Sequence, residues 1–71
     1  MKKMGIVQSY DGYYGVIESD NGEKYLLLKD QIVKQEDFNN LNVLDNVTFV
    51  PELYSNNEIE QKVARFVKKQ R

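Results

Sequence analysis

The chain has 71 residues and a formal net charge of −1, with no cysteine and no histidine. That length allows one domain, residues 1–71, with a modest core. The composition excludes disulfide staples and Cys/His zinc sites, and the near-zero charge argues against a strongly basic nucleic-acid binder.

The first half reads as strands. "MGIVQSY" (4–10) is extended in character, with a β-branched pair and a closing aromatic. "YYGVIES" (13–19) and "KYLLL" (24–28) follow, separated by the turn signals Asp11-Gly12 and Asn21-Gly22. Together they predict a three-stranded meander. Residues 29–45 mix polar and apolar types without a period and read as a long connection, with Asp30 placed to cap one helical turn containing Ile32. "NVTFV" (46–50) is a fourth strand, and Pro51 marks its end or an edge position, since proline has no N–H to give. "YSNNE" (54–58) is turn-forming. In "EQKVARFVKK" (60–69) the spacing of Val63, Ala64, Phe66 and Val67 suits a helix, whereas the strands upstream favour a fifth strand that closes a small barrel. No run nears the roughly 18 apolar residues of a membrane helix, and "MKKMGIVQSY" lacks the apolar centre of a signal peptide. The expectation is a cytoplasmic protein with no membrane partner.

Register decides which side chains share a face, because a one-residue slip exchanges the faces of a hairpin. A three-residue loop Asp20-Asn21-Gly22 places Gly22 at the left-handed position such loops require. It sets Ser19 opposite Glu23 and Val16 opposite Leu26. Tyr14, Val16, Glu18, Lys24, Leu26 and Leu28 then share one face, and Gly15, Ile17, Tyr25 and Leu27 the other. In the first hairpin a two-residue Asp11-Gly12 turn pairs Tyr10 with Tyr13, and a longer loop pairs Tyr10 with Tyr14. Both faces of the meander are apolar. One must bury inside the barrel. The other is left as a binding surface, unless residues 29–45 fold over it.

Charge is unevenly spread. Residues 1–10 carry +2, residues 61–71 carry +5, and residues 11–60 hold all 11 acids against three lysines. Two basic ends on one side of the fold would form a local positive patch; the plainer reading is solubilising tails. Nothing points to an enzyme or a cofactor. Cys and His are absent as nucleophile or base, the acid pairs Glu36/Asp37 and Glu58/Glu60 lie in polar segments and read as solvated surface, and no glycine-rich phosphate loop is present.

Gly5-Ile6-Val7-Gln8-Ser9-Tyr10-Asp11, then Gly12-Tyr13-Tyr14-Gly15-Val16-Ile17, then Asn21-Gly22, then Lys24 to Ile32 resemble the cold-shock domain pattern G-x-V-K-W-F-N, K-G-F-G-F-I, D-G and D-V-F-V-H-x-S-x-I. The resemblance implies an all-β fold, a small five-stranded antiparallel barrel of OB type. It also implies single-stranded RNA or DNA as partner, with bases stacked on exposed aromatics of the first three strands and phosphates drawn by lysines. Tyr10 and Tyr14 keep rings where the family has Phe, and Phe38 lies near another family ring. Ser9 stands for the family Trp, Val16 for a Phe, and Leu26 and Leu28 for the Phe-x-His pair. Lys29 replaces an aromatic, Gln8 and Gly12 replace lysines, and the first loop is two residues shorter.

The candidate nucleic-acid site is therefore Gln8, Tyr10, Tyr13, Tyr14, Lys24, Leu26, Lys29 and Phe38. The alternative is a protein partner or a homodimer seam on the aliphatic face of Val16, Leu26 and Leu28. An SH3 or Tudor-like barrel is the second fold reading, since those folds also display aromatics that hold cations.

Overall fold

The structure is a computed structural model that describes residues 1–55 and 58–70. Five strands, β1 (Lys3–Tyr10), β2 (Tyr14–Ser19), β3 (Lys24–Leu28), β4 (Asn46–Ser55) and β5 (Glu60–Lys69), close a barrel in the order β1-β2-β3-β5-β4. The all-β barrel is as expected, but it is mixed. β3 meets β5 in parallel at Leu26 and Val63, while the other pairings are antiparallel. The parallel contact follows from the long connection, which returns the chain to the other side of β1 before β5 crosses back to β3. Part of the expected 54–58 turn, at residues 56 and 57, lies outside the described residues.

The second hairpin has the expected register. Ser19 N–H donates to Glu23 O at 2.8 Å, Gly22 takes a φ of 87°, and Val16 pairs with Leu26. Ser19 Oγ also donates to Asn21 Oδ1, so the loop side chains reinforce the turn. Inward residues Val7, Ile17, Leu27, Val47, Phe49, Ala64 and Val67 are sealed from solvent. Each large apolar side chain buried this way contributes about 1.5–3 kcal/mol. Tyr25 packs its ring 5.0 Å from that of Phe49 in a tilted arrangement, a favourable aromatic geometry.

The first hairpin matches neither expected pairing. Tyr10 lies opposite Gly15. Two local features cause this. The register shifts between Val7 and Ser9, so Gln8 is the extra residue of a bulge. That bulge reverses the alternation of β1: Ser9 turns outward and Tyr10 turns in against the core. At the turn, Asp11 Oδ1 accepts from Tyr13 N at 2.9 Å and Tyr14 N at 2.8 Å, while Gly12 takes a φ of 98°. The carboxylate thus takes the place of a backbone acceptor.

β4 runs on past the expected end to Ser55. Pro51 is an edge residue there: β1 pairs with β4 only as far as Phe49, and Pro51 faces Ala64 of β5 alone. β5 is a strand. Its helix-like spacing comes from a second register shift, opposite Thr48–Val50, where Phe66 adopts a φ of 52°. An added residue at this point breaks the two-residue period.

The connection holds two single-turn 3-10 helices, Lys29–Gln31 and Gln35–Asp37. Asp30 lies inside the first rather than capping it; the N-cap is an extended Leu28 with no side-chain cap. Ile32 follows that helix and pairs with Val67. Ile32 and Leu41 join the core, and Asp37 is buried as well, contrary to the solvated reading of the Glu36/Asp37 pair. Tight backbone bonds, Asp37 N to Lys34 O and Asn40 N to Asp37 O, draw that turn inward. The connection extends the core and leaves the outer face of the meander open at Tyr14.

A turn before β4 carries an identifiable strain. Asp45 N–H closes it onto Asn42 O at 3.0 Å, and Leu44 holds a φ of 76° with 72% of its surface exposed. A positive φ at this position suits glycine, and the Leu44 N–H bond to Val7 O survives the change. Leu44→Gly is expected to raise stability by about 0.5–1 kcal/mol, or roughly 3–6 °C in Tm. A thermal melt with no gain would contradict the strain.

Candidate nucleic-acid interface

Tyr13 and Tyr14 are about two-thirds exposed, at 66% and 63%. Their backbones are fixed from two sides. The Asp11 carboxylate receives both of their N–H groups, Asp11 N donates to Tyr14 O, and Lys29 N donates to Tyr13 O. The donors from Tyr14 and Tyr13 hold the Asp11 carboxyl below its usual range. The pairing of Tyr14 with Leu28 then brings the start of the connection beside the turn.

Phe38 arrives from the connection. Its ring packs against the core, and its carbonyl accepts a hydrogen bond from the Tyr10 hydroxyl at 3.2 Å. Burial, with the nearby Asp11 charge, pushes the Tyr10 phenol up, which keeps it a proton donor. The ammonium of Lys29 lies 5.3 Å from the Tyr13 ring centre and 5.4 Å from that of Phe38, within cation–π range of both. Tyr13, Tyr14, Leu28, Lys29, Asp30 and Phe38 line one open depression of about 550 Å³.

Four of the eight sequence candidates, Tyr13, Tyr14, Lys29 and Phe38, therefore meet in one place. Tyr10 supports them from behind instead of sharing their surface, because the Gln8 bulge turned it inward. Gln8 donates to Glu18 Oε1 at 3.1 Å, and Lys24 lies opposite Glu18, four residues along β3 from Leu28. At about 3.3 Å per residue, that end of the sheet is remote from the depression. Leu26 is half-buried opposite Val16. Leu28 and Asp30 line the depression but were absent from the candidate set. Leu28 was readable from its pairing with Tyr14; Asp30 gave no signal beyond standing next to Lys29.

Acids stand among the basic ends: Glu23 lies near both Lys62 and Lys3. β1 and β5 are separated by β4 on one side and by β2 and β3 on the other. Lys62 is paired with Glu23 at 2.7 Å, Arg65 with Glu52 at 2.7 Å and Lys69 with Asp45 at 3.3 Å. The hydrogen bond with its partner lowers the Glu52 carboxyl and raises the Arg65 guanidinium, and the Glu23–Lys62 pair shifts in the same way. Arg71, counted with this basic end, lies outside the described residues. Among the described residues, no helix is long and apolar enough to cross a membrane. No protein-family model and no curated protein sequence matches the chain.

Proposed function

We propose that this is a small cytoplasmic protein of cold-shock type that binds single-stranded RNA or DNA, stacking bases on Tyr13, Tyr14 and Phe38. One observation carries the reading: three rings and a lysine line a single open depression, with the lysine ammonium over two of the rings. Stacking tolerates any base, since every base has a π-face, and Lys29 has a flexible stem that can swing from the rings to a phosphate. The mixed five-stranded barrel suits the OB class to which cold-shock domains belong.

The competing surfaces are less favoured. Val16, Leu26 and Leu28 are half-buried, so tyrosine dominates the open area of that face. A Tudor-like cage would have to hold a cationic ligand next to the positive charge of Lys29, which lies beside Tyr13 and Phe38 and repels it.

The test is a titration with a short oligothymidylate at low salt, read by backbone amide shifts. Residues 13, 14, 28–30 and 38 are expected to move, and affinity to fall with salt at a slope of about −0.7 per neutralised phosphate. Shifts confined to the termini, or none, would overturn the reading.

A further inference from the structure

Phe66 is the outlier that the barrel alone does not explain. A bulge residue in the left-handed region is ordinarily glycine. An L-residue there crowds its Cβ against the following carbonyl oxygen, at a steric cost. Core packing does not offset it, because Phe66 is 56% exposed at a φ of 52°. A strained aromatic held out on the surface is the kind of outlier that marks a functional site. Leu44 shares the positive φ, but its aliphatic side chain offers no face for a base.

The surroundings connect Phe66 to the tyrosine depression. The Arg65 guanidinium carbon lies 5.3 Å from the Phe66 ring centre. Arg65 Nε donates to Gln31 Oε1 at 3.1 Å, and Nη1 to Glu52 at 2.7 Å. Gln31 ends the same 3-10 helix that begins at Lys29, inside the depression. The helix rises about 2 Å per residue, so Gln31 lies roughly 4 Å along it from Lys29. The next residue, Ile32, pairs with Val67, the neighbour of Phe66. Rings and polar side chains thus follow one another from Tyr13 and Phe38, through Lys29 and the neutral Gln31, to Arg65 and Phe66.

We propose that Phe66, braced by Arg65, is a second stacking station for the same nucleic-acid strand, reached from the tyrosine depression across Lys29–Gln31. The proposal rests on the single-strand reading above and adds the direction in which the strand runs. Because the Arg65 charge is already paired with Glu52, the station acts through stacking, and its contribution is insensitive to salt.

The experiment compares oligothymidylates of roughly four and roughly ten nucleotides on the wild-type protein, Phe66→Gly, Phe66→Leu and Tyr14→Ala. Glycine suits the backbone at this position, and leucine keeps bulk without a ring. In the wild type the longer strand is expected to bind about 5- to 100-fold more tightly than the shorter. Both Phe66 variants lose that gain at low and high salt alike, while Tyr14→Ala weakens both lengths. A length gain that survives in either Phe66 variant overturns the second station and leaves the tyrosine site intact. If neither length binds the wild type, the single-strand reading itself falls, and this one with it.

Discussion

Gly15→Ala is expected to unfold the barrel or bring it close to unfolding. A Cβ built on Gly15 is driven into the Ser9 carbonyl oxygen and lies 2.9 Å from Tyr10 Cα, both backbone atoms of the neighbouring strand. Backbone cannot rotate aside as a side chain can, so β1 and β2 must part where the Gln8 bulge has already disturbed their ladder. Overpacking of this kind removes about 3 kcal/mol or more, from a domain whose size supports a total stability of about 4–10 kcal/mol. Gly12→Ala provides the contrast. Nothing lies within 4 Å of a Cβ there, and only the φ of 98° opposes it, at about 1 kcal/mol. Urea unfolding of both variants checks the pair. Equal midpoints for Gly15→Ala and the wild type would show that β1 and β2 are farther apart than described.

The other large effect concerns binding. Replacing Tyr13 and Tyr14 together by alanine is expected to weaken oligothymidylate binding by roughly 10²- to 10⁴-fold, from about 1–3 kcal/mol per lost stack. The value falls toward the lower end if one base spans both rings, since neighbouring substitutions do not add. Both side chains are mostly exposed, so the urea midpoint should stay close to that of the wild type. The pair Tyr13→Phe and Tyr14→Phe keeps the rings and should keep the affinity. Full binding by the double alanine variant would move the site elsewhere. Loss in the phenylalanine pair would instead assign the energy to the hydroxyls.

These effects were unequally legible in the sequence. The second hairpin was readable because turn residue and alternation agree: Asn21-Gly22 fixes the loop, and Ile17, Tyr25 and Leu27 can only face inward together. The first hairpin was not. Its register depends on the Asp11 carboxylate standing in for a carbonyl and on a bulge at Gln8, and neither leaves a mark in the residue pattern. Placing Tyr10 beside Tyr14 failed for that reason, whereas Tyr14 itself, set by its pairing with Leu28, did not depend on the bulge. The ambiguity at 60–69 has the same root, since the bulge at Phe66 gives a strand the spacing of a helix. The 3-10 turn that buries Asp37 and positions Phe38 is held by backbone bonds, to which composition is blind. The parallel meeting of β3 and β5 is likewise a product of chain path, not of any local motif.

The hydrogen bond from Tyr10 to the Phe38 carbonyl spans 28 positions of sequence, and it bears on how quickly the proposed ligand would be taken up. Strands hold the connection near its ends, through Ile32 and Val67 and through Leu44 and Val7, and the Tyr10 bond ties Phe38 between them to the strand that leads into the tyrosine turn. The two walls of the depression are set before a strand arrives, so little ordering entropy remains to be lost at the moment of contact. Association should then proceed at the encounter rate of a preformed surface, and variants of the rings should differ mainly in residence time.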